Sequence, residues 1–226
     1  MANNEIQIPG GTPNLSAYLT QPEGNGPFPA LVIIHEIHGL NDDIRSIADR
    51  FAAEGYVVLA VDLFAGRNRA VCMFRFMSGM LLNSLNHGGI HDLSAALTTL
   101  ENLPTVDANR LGVVGFCMGS NFAISWACTD NRLRVAAPFY GMNPRPIEAV
   151  DRACPVVGSY PEKDFSAGPG QTLDTELEQR GIPHDIKIYP GATHSFFNGA
   201  RDSSEANQTA AQDSWERVIA FFGDYL

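Results

Sequence analysis

One cysteine, Cys117, stands between two glycines in a pattern typical of a catalytic nucleophile. The segment Gly115-Phe116-Cys117-Met118-Gly119 follows an apolar run and precedes a run compatible with a helix. It is the G-x-S-x-G nucleophile elbow with cysteine in place of serine. A sharp strand-to-helix turn strains its central residue, and the flanking glycines remove side chains that would clash there. We therefore predict that Cys117 is a nucleophile; the alternative is a buried structural cysteine.

The same turn would favour the thiolate form of Cys117. It puts the cysteine at the N-terminus of a helix, where the helix dipole stabilises an anion. A thiol in water titrates at about pH 8.5, and such a position lowers its pKa. The N–H group of Met118 would then donate to the carbonyl oxygen of a substrate, with a second donor from Ile37 in the loop after the first core strand. We therefore expect Ile37 and Met118 to form an oxyanion hole.

A thiol nucleophile needs a general base, and chain order narrows the choice of histidine. In folds with this elbow the nucleophile, the acid and the histidine follow one another in the sequence. Two histidines, His184 and His194, come after Cys117. His194 follows the apolar run 185–189, which places it at the sheet edge where catalytic loops gather, whereas His184 precedes that run. We predict His194 as the base and His184 as an exposed loop residue.

The acid that orients the histidine is expected after the preceding strand. The apolar run 155–160 leads into Glu162-Lys163-Asp164, so two carboxylates are available. The acid accepts the Nδ1 proton of the histidine, fixes its tautomer and stabilises the imidazolium. We favour Asp164, because the turn needs residues before its acid faces back over the sheet. Glu162 is the alternative.

A second group of polar residues has a partial likeness to a metal-binding motif. His35-Glu36-Ile37-His38 ends the first core strand. It differs from the zinc motif H-E-x-x-H in its spacing and in following a strand instead of lying on a helix. We therefore expect no metal and no organic cofactor. The other cysteines are Cys72, Cys128 and Cys154. They lie in no C-x-x-C pair, and we expect them to be small buried residues.

The hydrophobic pattern predicts the sheet that must hold these residues. Six short runs rich in Val and Ile show little polar alternation, as in strands of a parallel sheet buried on both faces. These runs are 30–34, 56–64, 111–116, 135–140, 155–160 and 185–189. Apolar stripes at helical spacing lie between and after them, at Ile44, Ile47, Ala48 and Phe51, at Ile90, Leu93, Leu97 and Leu100, and at Trp215, Ile219 and Phe222. The alternation predicts an α/β fold with a mostly parallel, doubly wound sheet and helices on both faces.

The N-terminal segment has a different pattern. The runs 5–9 and 14–20 flank a Gly-Gly-Thr-Pro turn, which predicts an antiparallel hairpin at one edge of the sheet. The sequence contains no internal repeat, low-complexity tract or convincing linker. We predict a single domain over residues 1–226.

The composition argues against several classes of function. The formal net charge is -10 at pH 7 without a block of Lys and Arg, so the surface should repel nucleic acid. The N-terminus lacks the basic and apolar regions of a secretory signal. No apolar run reaches the roughly 20 residues that a membrane span needs. We expect a cytoplasmic protein that binds a small molecule and neither nucleic acid nor a membrane.

Motifs spread along nearly the whole chain are similar to those of one enzyme family. They are His-Glu-Ile-His-Gly-Leu-Asn from His35, Val-Asp-Leu-Phe from Val61, Gly-Phe-Cys-Met-Gly from Gly115, Glu-Lys-Asp from Glu162 and Thr-His-Ser-Phe-Phe-Asn from Thr193. The segment Ala-Gln-Asp-Ser-Trp-Glu-Arg-Val-Ile-Ala-Phe-Phe is similar to the last helix of that family. With these motifs the chain resembles the dienelactone hydrolases, or carboxymethylenebutenolidases, of the α/β-hydrolase fold.

The resemblance implies roles for several residues. It implies that Cys117, Asp164 and His194 are the triad, that Glu36 contacts the resting cysteine, and that substrate binding helps to convert the thiol to the thiolate. It also implies a lactone that carries a carboxylate gripped by arginines. The arginine that the family has after its catalytic histidine falls at Asn198 here. The candidates for substrate binding are Arg67, Arg75, Asn198 and Arg201.

The predicted activity is the hydrolysis of small lactones or esters through a thioester on Cys117. A broader ester or thioester hydrolase with the same triad is a second interpretation. A binding module that holds a small acid without turning it over is a third, and the complete set of triad residue types in the expected order argues against it. A redox sensor is a weaker fourth, because no resolving cysteine lies near Cys117 in the sequence.

Overall fold

A single sheet organises the chain, of which the computed structural model describes residues 4–198 and 204–226. Eight strands form this sheet. In chain order they are β1 (Glu5–Gln7), β2 (Ser16–Thr20), β3 (Phe28–Ile34), β4 (Val57–Asp62), β5 (Val106–Phe116), β6 (Leu133–Phe139), β7 (Val156–Lys163) and β8 (His184–Thr193). Their order across the sheet is β1-β2-β4-β3-β5-β6-β7-β8.

The pairing of the strands agrees with the expected topology. From β4 across to β8 the neighbours are parallel, with Ile33 of β3 between Ala60 of β4 and Val114 of β5. β1 pairs with β2, and β2 with β4, in antiparallel register. The prediction of a mostly parallel sheet with an N-terminal hairpin at its edge is therefore confirmed.

Helices cover both faces of the sheet. They are α1 (Asp42–Ala53), α2 (Arg69–Asn83), α3 (Gly88–Glu101), α4 (Met118–Ala127), α5 (Ala167–Gln179) and α6 (Glu205–Tyr225), with a short 3₁₀ helix at Ile147–Arg152. Phe51 of α1 and Phe222 of α6 pack with Leu31 on one face. On the opposite face, Val32 packs in one cluster with residues of α2, α3 and α4. Because Leu31 and Val32 are neighbours in a strand, their side chains point to opposite faces, and β3 is buried on both.

Two helices, α2 and α5, have no counterpart among the helical segments predicted from the sequence. α2 carries apolar residues on its outer side as well as on its buried side: Phe76 is buried, whereas Phe74 is 76% exposed. Exposed apolar residues of this kind obscure the apolar stripe by which an amphipathic helix is predicted. α5 begins with Ala167-Gly168-Pro169-Gly170, and glycine and proline are poor helix formers. No helix within the described ranges is long and apolar enough to cross a membrane.

The parallel strands bring four functional segments to one edge of the sheet. Glu36 follows closely after β3, Cys117 directly after β5, Asp164 directly after β7 and His194 directly after β8. Carboxyl ends of parallel strands meet at the same edge, which is where α/β sheets bind ligands.

Candidate active site

Cys117 occupies the turn between β5 and α4 in a backbone conformation that non-glycine residues rarely adopt. Its φ is 52° and its ψ is -112°. The N–H of Cys117 donates to the carbonyl oxygen of Phe139 at 3.0 Å, and its own carbonyl oxygen accepts from the N–H of Ser120 at 3.0 Å. One bond goes to strand β6 and the other lies in α4, so both neighbouring elements hold the strained residue.

The two flanking glycines are required by close backbone approaches. A Cβ on Gly115 would lie 2.2 Å from the carbonyl oxygen of Gly119. A Cβ on Gly119 would lie 2.2 Å from the carbonyl oxygen of Ile34 at the end of β3. Backbone atoms of packed elements cannot move aside, so only glycine fits at both positions. This close packing also sets the loop after β3 beside the start of α4.

His194 and Asp164 form a hydrogen-bonded pair from neighbouring loops. Nδ1 of His194 lies 2.8 Å from Oδ2 of Asp164. The other carboxylate oxygen of Asp164 accepts from the N–H and the hydroxyl of Ser166. The Asp164 side chain is only 5% exposed, so these bonds fix the carboxylate and, through it, the imidazole. With its proton on Nδ1, the ring can accept another proton at Nε2.

Two aromatic rings hold His194 against the pocket that contains Cys117. The ring of Phe165 stacks on His194 at 5.2 Å, and that of Tyr140 meets it edge-on at 5.1 Å between centroids. Tyr140, Phe165 and Cys117 line the same pocket. His194 therefore contacts two rings that line the same pocket as Cys117, and Asp164 bonds to Nδ1 of that histidine.

This pocket is small, with a volume of about 120 Å³, and its walls are mainly apolar. Ile37 and Met118, the two residues predicted for the oxyanion hole, both belong to its wall. Asn121 contributes a polar side chain. The apolar side chains of the wall are Ile37, Met73, Met77, Met118, Met142 and Phe165.

Glu36 lies behind the pocket wall and is buried. Its Oε1 accepts from the hydroxyl of Tyr140 at 3.2 Å and from the hydroxyl of Ser195 at 2.9 Å. Tyr140 lines the pocket and Ser195 follows His194 in the chain. The carboxyl group of Glu36 thus joins the loop after β3 to the loops after β6 and β8.

Two of the three arginines predicted to bind substrate lie away from this pocket. Arg67 and Arg75 line a separate pocket of about 270 Å³, next to α3. The guanidinium of Arg67 donates to the carbonyl oxygens of Leu63 and Phe64. Asn198 is buried in the turn after His194, where its N–H donates to the carbonyl oxygen of Ser195 at 2.9 Å. Arg201 lies outside the described residues.

Glu162 and His184, the alternatives to Asp164 and His194, form hydrogen bonds with other residues. Oε2 of Glu162 accepts from the N–H of Gly191 at 2.8 Å, whereas Asp164 bonds to His194. His184 opens β8, and its Nδ1 lies 2.7 Å from the carbonyl oxygen of Ile182. The prediction of His184 as an exposed loop residue is wrong, because its side chain is 12% exposed beside carboxylates of α5.

His35 is part of the scaffold at the end of β3. Its Nε2 accepts from the N–H of Leu63 at 3.1 Å, and its Nδ1 lies 2.6 Å from the carbonyl oxygen of Glu36. Both ring nitrogens are therefore used by the backbone. Over the described ranges, no cluster of His, Cys, Asp and Glu side chains has an arrangement that could hold a metal ion.

Several residues at the site were not predicted from the sequence, among them Tyr140, Phe165, Ser166 and Ser195. Tyr140 has a φ of 43° and Ser195 a φ of 60°. Neither residue type predicts a positive φ from the sequence. A signal did exist for Ser166, because Asp and Ser two residues apart commonly form a local hydrogen bond in a turn.

Sequence comparison identifies relatives along nearly the whole chain. The family described as "Dienelactone hydrolase family" matches residues 15–226. A protein of Saccharolobus solfataricus named "Putative carboxymethylenebutenolidase" is 31% identical, over 92% of this chain and 93% of the relative. A protein of the same name from Escherichia coli is 28% identical, over 96% of this chain and 85% of the relative.

Comparison of structures gives the same result. A crystal structure described as "Putative Dienelactone Hydrolase" from Klebsiella pneumoniae superposes with a TM-score of 0.83 and 26% identity, covering 98% of both chains. The acylaminoacyl peptidase of Pyrococcus horikoshii shares the fold alone, with a TM-score of 0.76 and 12% identity over 99% of this chain and 41% of the peptidase. The chain has the α/β-hydrolase fold and belongs to the dienelactone hydrolase family of hydrolases.

Proposed function

We propose that the protein hydrolyses small lactones or esters, with Cys117 as nucleophile, His194 as general base and Asp164 as the residue that orients His194. One observation carries this proposal. The thiol stands on a strained elbow at the start of a helix, and the hydrogen-bonded His194–Asp164 pair packs on the rings that line the pocket of that thiol. A nucleophile, a base and an orienting acid are the three parts that covalent acyl transfer needs.

The first half of the reaction forms a thioester. The thiol proton passes to Nε2 of His194, and the sulfur of Cys117 attacks the carbonyl carbon. The N–H groups of Ile37 and Met118 donate to the oxyanion that develops. The C–O bond to the ring or ester oxygen then breaks, and the leaving oxygen takes the proton from His194.

The second half releases the acid. His194 removes a proton from a water molecule, and the hydroxide attacks the thioester carbonyl. The C–S bond breaks, and the sulfur of Cys117 leaves and recovers its proton from His194. Asp164 stabilises the imidazolium in both halves, because its carboxylate accepts the Nδ1 proton. One water is consumed for each ester bond opened, and this sequence of steps needs no cofactor.

Glu36 and its partners act on the resting site. We propose that the carboxyl group of Glu36 holds Tyr140 and Ser195 in place next to His194, and that it influences how readily Cys117 ionises. A negative charge near the thiol would oppose ionisation until a substrate changes the contacts.

The test follows ring opening of a dienelactone by ultraviolet absorbance, together with a panel of small esters and thioesters. Native protein and Cys117→Ala are compared. We expect turnover by the native protein and a loss of at least about 10³-fold in kcat/KM for the variant, because removal of a nucleophile leaves only binding and oxyanion contributions. Turnover that survives in Cys117→Ala would refute the proposal. Absence of turnover on every substrate of the panel would favour the non-catalytic binding module instead.

A further inference from the structure

The walls of the Cys117 pocket consist mainly of methionine and aromatic side chains. A substrate carboxylate bound there would need a cation. Met73 and Met77 come from α2, Met142 and Phe165 from the loops after β6 and β7. Among the described residues that line this pocket, none is Lys or Arg. Methionine is flexible and polarisable, and it fits apolar groups of varied shape.

An acidic side chain behind the pocket wall does not favour the binding of an anion. Glu36 bonds to the wall residue Tyr140, so an acidic side chain lies directly behind the wall. The expected cations Arg67 and Arg75 line the separate pocket beside α3. Moving a carboxylate into an apolar cavity without a paired cation is costly.

Apolar surface continues from the pocket to the outside of the molecule. Four of its wall residues are among the exposed large hydrophobic side chains of the chain, namely Ile37 (44% exposed), Met77 (50%), Met142 (39%) and Phe165 (64%). Phe74, one turn before Met77 on α2, is 76% exposed. A pocket of about 120 Å³ holds only a reacting carbonyl and a few carbons, so the rest of a substrate must lie over this rim.

We propose that this site takes an uncharged ester or lactone with an apolar chain, which passes between Met77 and Phe165 and rests on the exposed rim. The inference rests on the proposed function, since it names the substrate class of that same site. It replaces the carboxylated lactone that the resemblance implied.

A matched pair of substrates tests the charge. p-Nitrophenyl hexanoate and the mono-p-nitrophenyl ester of adipic acid have acyl chains of equal carbon number and differ in a terminal methyl or carboxylate. We expect kcat/KM to be at least about tenfold higher for the hexanoate, because the carboxylate loses hydration without gaining a cation. Equal values, or a preference for the adipate ester, would overturn the inference. If the native protein prefers the adipate ester and Arg201→Gln does not, Arg201 is the cation that binds the carboxylate, and the inference is overturned.

Two lysine variants on α2 test whether the preference for an uncharged substrate arises at the pocket. Met77→Lys puts a cation at the rim and is expected to shift the adipate-to-hexanoate ratio of kcat/KM toward adipate by about threefold or more. Val71→Lys adds the same charge to the same helix at a 58% exposed position away from the pocket wall, and the ratio should stay unchanged. If both variants shift the adipate-to-hexanoate ratio equally, the preference does not arise at the pocket wall.

A chemical probe separates this inference from the catalytic proposal. Iodoacetamide and iodoacetate are similar in size and differ in charge, and alkylation of Cys117 is read by peptide mass spectrometry without any turnover. Each rate is divided by the rate with glutathione. Burial raises the pKa of both Cys128 and Cys154 to about 12, so these thiols react little. We expect a corrected preference for iodoacetamide of about tenfold. Its absence would overturn the inference even if Cys117→Ala proves the nucleophile.

Discussion

The chemistry proposed for this protein uses a few side chains whose rotations are restricted by their neighbours. His194 is held by a carboxylate on Nδ1 and by the rings of Phe165 and Tyr140. Asp164 is held in turn by Ser166. A base that is already oriented needs little reorganisation when the nucleophile reacts.

Two acids at the carboxyl end of β7, one in the strand and one directly after it, provide a direct comparison. We expect Asp164→Asn to lower kcat by roughly 10²- to 10⁴-fold, because the amide favours the wrong imidazole tautomer and cannot stabilise the imidazolium. Glu162→Gln removes a carboxylate two residues earlier that bonds to the N–H of Gly191, and a loss below about tenfold is expected. Steady-state kinetics on an activated ester measure both. The reverse order of effects would make Glu162 the orienting acid.

At the scale of elements, the elbow is a junction of three parts: β5, α4 and the end of β3. Gly115 and Gly119 allow backbone approaches that no side chain would permit. The approach of α4 to β3 places Met118 and Ile37 in the wall of one pocket. The glycines thus serve the site as well as the packing.

Gly119→Ala tests this junction. The added Cβ would meet the carbonyl oxygen of Ile34 at 2.2 Å, and overpacking against backbone should destabilise the fold by about 3 kcal/mol. Gly223→Ala on α6 is the matched control, because a Cβ there meets nothing within 4 Å; a gain of up to about 1 kcal/mol is expected from its helix propensity. Urea unfolding followed by circular dichroism measures both. An unchanged midpoint for Gly119→Ala would show that α4 can shift away from β3.

At the scale of the whole molecule, ion pairs join elements that are distant from the site. Arg132, just before β6, contacts Asp130 after α4 and Glu101 at the end of α3. Asp130 also accepts from the indole N–H of Trp126 at 3.1 Å. Burial alone would raise the pKa of Asp130, but the hydrogen bonds from Arg132 and Trp126 outweigh it and hold that pKa below its ordinary value.

This shift predicts part of the stability of the protein toward acid. Because the pKa of Asp130 is lower in the folded chain, its contribution is present at neutral pH and is lost as the pH falls through that lowered pKa. Asp130→Asn should therefore reduce the free energy of unfolding by about 2 kcal/mol at pH 7. The difference from the native protein should shrink as the pH falls below the ordinary range of aspartate and vanish once the pH is below the lowered pKa of Asp130. Glu23→Gln, on an exposed side chain, controls for the loss of one charge. A difference that does not change with pH would contradict an electrostatic origin.

The sequence by itself determined the elements that depend on local pattern. Runs of Val and Ile predicted the six strands of the parallel sheet, because strands buried on both faces need continuous apolar residues. Gly115 and Gly119 around Cys117 predicted the elbow, and chain order predicted His194, Asp164 and their places after β8 and β7. Each of these inferences uses residues that are close in the chain or a topology that the pattern dictates.

The tertiary structure alone decided which distant side chains meet. Tyr140 and Ser195 bond to Glu36 across more than 100 residues of chain in each case, and no local pattern encodes such contacts. Arg67 and Arg75, two of the arginines predicted to bind substrate, line another pocket, whereas Met73 and Met77 of α2 line the pocket of Cys117. Packing of the whole fold selects these neighbours, since a side chain's surroundings depend on the elements folded against it and not on its position in the sequence.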